Sequence, residues 1–184
     1  MAEHLEKTDE SYRVFLYIFY VSAAIMLGIT AFGFWATTAE WLQNGTYVMG
    51  EVIHNTALPF ENFARLSSWL FFSSIIGWYC VSRIGWRRTV AGKISGRRMA
   101  LLQLMLLGFA IISLYEVLYN FTVLNAAITA GMAGGIMPDI DRLSVAYPDP
   151  NAPWNLVFAT KIFLAAFIIS GHALYLSTRP RKRL

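Results

Sequence analysis

Residues 14–35 read VFLYIFYVSAAIMLGITAFGFW and contain no charged side chain. The uncharged run continues to Ala39, and a helix needs only about 20 apolar residues to cross the hydrocarbon core of a membrane. The run is also too long for the apolar core of a signal peptide, and no convincing cleavage site follows it. We therefore predict a first membrane-spanning helix over residues 14–37.

The composition of the whole chain agrees with a membrane protein. Of the 184 residues, 57% are hydrophobic and only 14% are charged, whereas a soluble domain carries about 25% charged residues. The mean hydropathy is +0.49. This composition excludes a disordered chain and a soluble α/β enzyme. It also excludes a disulfide scaffold, since the one cysteine, Cys80, has no partner for an internal disulfide. We predict the fold class all-α.

Three further apolar segments complete a four-span transmembrane helix bundle, which forms a single membrane domain over the whole chain. Their predicted bounds are residues 59–82, 99–128 and 153–177. Pro59 and Glu61 are typical of a helix start, and Pro153 suits a first helical position. The third helix is expected to end in a glycine-rich stretch, at Gly131, Gly134 and Gly135.

The basic residues predict the orientation of the spans. Most of the 15 lysine and arginine residues precede the first span, follow the fourth, or lie in the loop over residues 83–98. The loops over residues 38–58 and 129–152 hold fewer basic residues and several acids. Since lysine and arginine concentrate on the cytoplasmic side, we expect a multi-pass protein of the cell membrane with both termini cytoplasmic and these two loops outside.

The loop over residues 83–98 is also a candidate lipid-binding segment. It contains basic residues and no acid, and anionic headgroups attract such a loop by about 1 kcal/mol per basic residue, although membrane topology alone explains the charge. The candidate headgroup-binding residues are Arg87, Arg88, Lys93, Arg97 and Arg98. Because the basic residues lie between apolar segments, lipids rather than nucleic acid are the expected partners.

Glu116 is the one acid inside a predicted span, where a charged side chain is costly unless it is paired. A rise of about 1.5 Å per residue places Glu116 and Lys161 at matching depths in the third and fourth spans. We predict a polar pair between them, supported by hydrogen bonds from Tyr115, Tyr119 and Asn120. A proton or cation relay through Glu116 is the alternative, but a relay needs a second acid along the same path.

A metal site is a further possibility on the outer side. Glu51 and His54 have helical i, i+3 spacing, which puts two ligands on one face of a helix. Asp139 and Asp141 in the other outer loop supply additional oxygen ligands. Carboxylate-bridged bundles use two such motifs and this chain has one, so a solvated loop is the simpler interpretation.

Helix packing and enzymatic motifs complete the analysis. Two pairs of small residues at i, i+4 spacing predict close helix contacts: Ala24 with Gly28, and Ala166 with Ser170. No P-loop, Rossmann fingerprint, nucleophile elbow, zinc-protease helix or CxxC motif occurs. His172 is the only histidine inside a span, so a haem held by two intramembrane histidines cannot be built.

The region from Leu114 to Tyr175 carries a resemblance to a group of proteins. Its segments LYEVLYNFTVLNAA and YPDPNAPWNLVFATKIF resemble small integral membrane proteins of archaea, including those of ammonia-oxidising lineages. The resemblance implies an accessory subunit of a membrane-bound complex, such as one beside a copper monooxygenase. No copper ligand set is visible in this chain, so any redox metal is expected in a partner subunit, and this chain is expected to hold no cofactor.

The sequence therefore leads to three hypotheses. The first is a non-catalytic accessory subunit of a multi-subunit membrane oxidoreductase, of the monooxygenase or respiratory kind, whose partners are other integral membrane subunits. The second is a small homo-oligomeric channel or transporter with a polar line on the third span, formed by Gln103, Glu116, Asn120 and Asn125. The third is a cofactor-dependent membrane enzyme that uses Glu51, His54 and Asp139.

Overall fold

The fold, seen in a computed structural model, is described for residue 5 and for residues 7–61, 63–85, 94–135 and 154–178. These parts of the chain contain five helices and no strand. The helices are α1 (Glu10–Asn44), α2 (Glu51–Asn55), α3 (Leu66–Ile84), α4 (Gly96–Ala133) and α5 (Leu156–Thr178). The all-α class expected from the sequence is confirmed for the described residues.

Among the described helices, three are long and apolar enough to cross a membrane, namely α1, α4 and α5. They contain 35, 38 and 23 residues, which correspond to lengths of about 52, 57 and 35 Å. The hydrocarbon core of a bilayer is about 30 Å thick. All three helices therefore reach across it, and the chain has the features of a membrane-embedded protein.

The first two predicted spans differ from the helices in their bounds. α1 continues to Asn44, where Gly45 adopts φ 70° and its N–H donates to the Trp41 carbonyl at 2.9 Å. α3 begins at Leu66 rather than at Pro59. The segment around Pro59 forms a loop instead, because the N–H of Leu58 donates to the carbonyl of Ala64 at 3.2 Å.

The last two predicted spans agree more closely with the helices. α4 ends at Ala133, directly before Gly134 and Gly135, as the glycine-rich stretch predicted. α5 begins at Leu156, because the side-chain oxygen of Asn155 accepts a hydrogen bond from the N–H of Phe158 at 3.0 Å. This is the geometry of a helix N-cap. The predicted start at residue 153 lies outside the described residues.

The main contacts between the long helices follow the order α1, α3, α5, α4. α3 and α5 run parallel, since Ser67 contacts Lys161 and, eleven residues further along both helices, Trp78 contacts His172. α1 and α4 run antiparallel to these two central helices. We call the end of the fold that contains α2 and the starts of α3 and α5 the α2 end, and the opposite one the basic end.

The apolar core lies near the α2 end, where α1, α2 and α3 meet. Ile29, Ile53, Leu66 and Leu70 are buried together there. Ile53 of α2 lies directly over Gly33 of α1, so closely that a Cβ atom at Gly33 would overlap the Ile53 Cδ1 atom. The absence of a side chain at Gly33 is what lets the short helix α2 dock on α1.

The small residues that bring helices together are only partly those predicted. Ala24 and Gly28 are exposed, and a Cβ atom at Gly28 would meet nothing within 4 Å. Ser22 lies against Gly77 of α3 instead. On α5 the predicted pair fits better, since Ser170 is buried and its hydroxyl donates to the carbonyl of Ala166 at 2.6 Å.

The contact at Gly33 predicts a position-specific effect of adding a methyl group. Gly33→Ala is expected to destabilise the fold by about 1–3 kcal/mol, the range for overpacking a close contact, and the added substitution Ile53→Ala should recover part of that loss. Gly28→Ala is the matched control on the same helix and should leave stability equal or slightly higher. Thermal unfolding in detergent measures all three; equal midpoints for Gly33→Ala and Gly28→Ala would contradict the contact.

Candidate functional site

The first polar cluster of the α2 end, here called the hydroxyl cluster, consists of His54, Ser67, Ser68 and Lys161. The Lys161 ammonium donates to the hydroxyl oxygens of Ser67 at 3.0 Å and Ser68 at 2.9 Å. His54 Nδ1 lies 3.3 Å from the same Ser67 oxygen. Ser67 and Ser68 lie in the first turn of α3 and Lys161 in the second turn of α5, so the parallel arrangement of these helices brings them together.

Arg65 adds a second positive charge beside this cluster. It precedes α3, and its guanidinium donates to the backbone carbonyl of Asn55 at 2.8 Å. Arg65 lies two residues before Ser67, so its positive charge belongs to the same region as Lys161. The hydrogen bond to Asn55 joins the end of α2 to the start of α3 and fixes the guanidinium at the edge of the hydroxyl cluster.

The second polar cluster, here called the amide cluster, consists of Glu116, Asn120 and Trp154. The Asn120 side-chain N–H groups donate to the Glu116 backbone carbonyl at 2.7 Å and to its carboxylate at 3.3 Å. The indole N–H of Trp154 donates to the Asn120 amide oxygen at 3.1 Å. Asn120 has no exposed surface. Its donor and acceptor are therefore both used, and they attach α4 to the start of α5.

The start of α5 is also tied to the segment before α2. The backbone N–H of Asn155 donates to the carbonyl of Met49 at 2.9 Å, and Asn155 is fully buried. Gly50 follows with φ 78° and lies against the ring of Phe158. Residues 49–50 therefore contact the first turn of α5. Trp154, just before this turn, contacts α4.

The structure does not bring Glu116 and Lys161 together. Each belongs to a different cluster: Lys161 faces the serine hydroxyls of α3, while the Glu116 carboxylate accepts from Asn120. Of the predicted supporting residues, Asn120 donates to the Glu116 carboxylate. Tyr115 and Tyr119 are exposed and stack on each other, with ring centroids 6.1 Å apart. Lys161 contacts serine hydroxyls rather than Glu116 because hydroxyls at the same depth are nearer to Lys161 than the acid is.

The predicted polar line on the third span is divided among separate contacts. Gln103 donates to the carbonyl of Ser177 at 3.0 Å, near the basic end, and Asn120 holds Trp154 at the α2 end. Asn125 is exposed and donates to the carbonyl of Phe121 in its own helix. The hydrogen bonds of Gln103 and Asn120 therefore lie at the two ends of the contact between α4 and α5.

The proposed metal ligands are only partly described. Glu51 and His54 lie on α2 as the spacing predicted, but His54 is buried and points its Nδ1 atom at Ser67. Asp139 and Asp141 lie outside the described residues. Within the parts of the chain that are described, no three histidine, cysteine or acidic side chains gather as a metal site. Metal binding at the α2 end stays a prediction.

The candidate headgroup residues are likewise described in part. Arg97 and Arg98 are exposed in the first turn of α4, at the basic end, and Arg87, Arg88 and Lys93 lie outside the described residues. His172, in the same half of the fold, accepts a hydrogen bond from the Trp78 indole at 3.0 Å. This contact joins α3 to α5 within the helix layer.

Sequence reasoning missed Ser67, Ser68 and Trp154 as polar partners. Adjacent serines at the start of an apolar helix were a usable signal, since a lysine within another span needs hydroxyl or carboxylate partners. A serine beside a lysine is also the arrangement of a nucleophile and its base. Ser67 has no exposed surface, and its contact with Lys161 joins α3 to α5.

Comparison of the chain with protein-family models, curated protein sequences and solved structures finds no match. The functional interpretation therefore depends on the two clusters and on the exposed surfaces of the helices.

The amide cluster predicts a difference between two asparagines on the same helix. Asn120→Ala leaves the Trp154 indole N–H without its acceptor and is expected to destabilise the fold by about 1–3 kcal/mol. Asn125→Ala is the matched control and should change stability by less than about 0.5 kcal/mol, because Asn125 contacts only its own helix. Thermal unfolding in detergent distinguishes them. If both substitutions had the same effect, the cluster would not join α4 to α5.

Proposed function

We propose that this chain is a four-span, non-catalytic subunit of a larger complex in the cell membrane. α3 supplies the fourth span in this proposal. Its 19 residues extend about 28 Å, close to the thickness of the hydrocarbon core. It lies parallel to α5 between the Ser67–Lys161 and Trp78–His172 contacts. A helix that accompanies a membrane-spanning neighbour in this way crosses the same bilayer.

The proposed orientation follows the charges at the two ends. In the described residues, the basic end carries Lys7, Arg13, Arg83, Arg97 and Arg98 against the acids Asp9 and Glu10. The α2 end carries the acids Glu40, Glu51, Glu61 and Glu116 against Arg65 and Lys161. The basic-residue rule therefore favours a cytoplasmic basic end. The start of α1 and the end of α5 both lie at that end, which agrees with cytoplasmic termini.

The observation that carries the subunit proposal is the length of α4. Its contact with α5 runs from Gln103 to Asn120, where Trp154 marks the start of the α5 segment. Beyond this point residues 121–133 continue as helix for about 20 Å. This projecting segment has the sequence FTVLNAAITAGMA and contains no charged residue. An uncharged helix outside the bilayer needs another protein surface to cover it.

The polar side chains of the projecting segment are already satisfied within the helix. The hydroxyls of Thr122 and Thr129 donate to the carbonyls of Leu118 and Asn125, at 2.7 and 2.8 Å. Asn125 donates to Phe121 in the same way. Groups whose hydrogen bonds are internal are buried at little energetic cost. Thr122, Asn125 and Thr129 form an exposed face with Ala126 between them. This face is therefore suited to packing against a partner helix.

The kind of complex follows from the resemblance of residues 114–175 to membrane proteins of archaea, which implies a membrane oxidoreductase with its redox metal in another subunit. A channel is less favoured than a subunit, because Gln103 and Asn120 of its polar line are occupied by contacts with α5. The enzyme hypothesis is less favoured too, because His54 is buried against Ser67.

The projecting segment predicts where assembly is sensitive to substitution. Ala126→Phe places a ring on the exposed face of the segment and should sharply reduce the co-purification of partner subunits from native membranes. Ile111→Phe is the matched control on the same helix, because Ile111 is 60% exposed at bilayer depth and lipid accommodates a larger apolar side chain. Both variants should retain the helix content and thermal midpoint of the parent protein.

Native gel separation followed by mass spectrometry measures this assembly. The expected result is loss of the partner subunits from Ala126→Phe and their retention by Ile111→Phe. A chain that migrates alone, or only with copies of itself, before any substitution is made contradicts the subunit proposal.

A further inference from the structure

The hydroxyl cluster holds a charge that the described residues do not neutralise. The Lys161 ammonium has two hydroxyl partners, and no carboxylate in the described ranges pairs with it. Arg65 adds positive charge nearby, while Glu116 contacts Asn120 instead. A half-buried ammonium in the outer part of a membrane needs a counter-ion. Within the described residues no acid pairs with Lys161, so the site can receive an anion from outside them.

The depth of the cluster indicates which anions reach it. Lys161 lies about 8 Å along α5 from Leu156, and a lysine side chain extends its ammonium toward the water interface. Ser68 lies in the first turn of α3, at the level where that helix enters the layer. If α3 and α5 span the bilayer as proposed, the ammonium lies at its outer boundary, where the phosphates of the lipid headgroups are.

The cluster also has donors available for an anion. Two of the three ammonium protons of Lys161 serve Ser67 and Ser68, which leaves one for a ligand. The Ser68 oxygen accepts from Lys161, so its own hydroxyl proton is available for donation. Ser68 is half-buried, whereas Ser67 is fully buried, so Ser68 is the more accessible of the two serines.

We propose that the hydroxyl cluster binds a phosphate group at the α2 end, with Lys161 as the principal charge and Ser68 as a second donor. The phosphodiester of an anionic phospholipid and free inorganic phosphate share the chemistry that the site recognises. This site differs from the basic loop over residues 83–98, which lies at the opposite end of the fold. It depends on the four-span arrangement but not on the presence of a partner subunit.

The test compares lipid retention by four forms of the full chain. Each is extracted from vesicles of equal parts phosphatidylglycerol and phosphatidylcholine, and native mass spectrometry counts the retained lipids. Lys161→Met should retain phosphatidylglycerol about fivefold less than the parent chain, as expected for the loss of one basic residue near the membrane surface. Lys161→Arg should retain it, and so should Lys7→Met, which removes one exposed positive charge at the basic end, outside the candidate headgroup residues.

A second arm identifies the source of the phosphate. Delipidated protein in detergent is heated with inorganic phosphate or with chloride at equal ionic strength. If phosphate raises the thermal midpoint of the parent chain but not that of Lys161→Met, the free anion is enough to occupy the site. If lipid is retained but phosphate does not raise the midpoint, the site is assigned to a phospholipid. The proposal is overturned if Lys161→Met and Lys7→Met lose phosphatidylglycerol equally, or if neither arm distinguishes Lys161→Met from the parent chain.

Circular dichroism and gel filtration of each form give the folding control. If Lys161→Met does not fold, Ser68→Ala replaces it, since this change removes a donor without removing the ammonium. Weaker retention by Ser68→Ala then supports the site, and unchanged retention contradicts it. A failure of partner subunits to co-purify with the parent chain leaves this result unaffected, so the two proposals are tested separately.

Discussion

The polar contacts between α3 and α5 are the constraint on which the other helix positions depend. In a lipid environment apolar side chains alone do not select one partner over another, because the lipid tails are equally apolar. Lys161 and His172 on α5 find their hydrogen-bond partners only when α3 lies parallel and in one register. These two contacts, about 16 Å apart along the helices, fix that register and make α3 and α5 the centre of the layer.

The outer helices α1 and α4 pack on the surfaces of α3 and α5 that the contact between α3 and α5 leaves uncovered. α1 packs on α3 where Ser22 meets Gly77 and on α2 where Gly33 meets Ile53, and α4 packs on α5 between the bonds of Gln103 and Asn120. Both outer helices keep wide apolar faces exposed, such as Leu104 at 66% and Phe34 at 77%. Lipid covers these faces at bilayer depth. The projecting segment of α4 differs because it continues past the start of α5.

Composition and hydrophobic runs were enough to predict the helical class and the approximate ends of the long helices. The start of α3 was placed too early, because Pro59 fits a helix start and a loop equally well, and only the pairing of Leu58 with Ala64 decides between them. The partner of Lys161 was not predictable from depth alone, since hydroxyls and an acid lie at similar heights. Which faces of α1 meet α2 and α3 depends on tertiary packing, so Ala24 and Gly28 were chosen over Gly33, which meets α2, and Ser22, which meets α3.

The parallel register of α3 and α5 is tested most directly by crosslinking in intact membranes. With Cys80 replaced by serine, paired cysteines are introduced and treated with a short bismaleimide. The account predicts that Ser67→Cys crosslinks with Lys161→Cys and that Trp78→Cys crosslinks with His172→Cys, whereas the crossed pairs, Ser67→Cys with His172→Cys and Trp78→Cys with Lys161→Cys, do not. Crosslinking of the crossed pairs in place of the parallel ones would contradict the account.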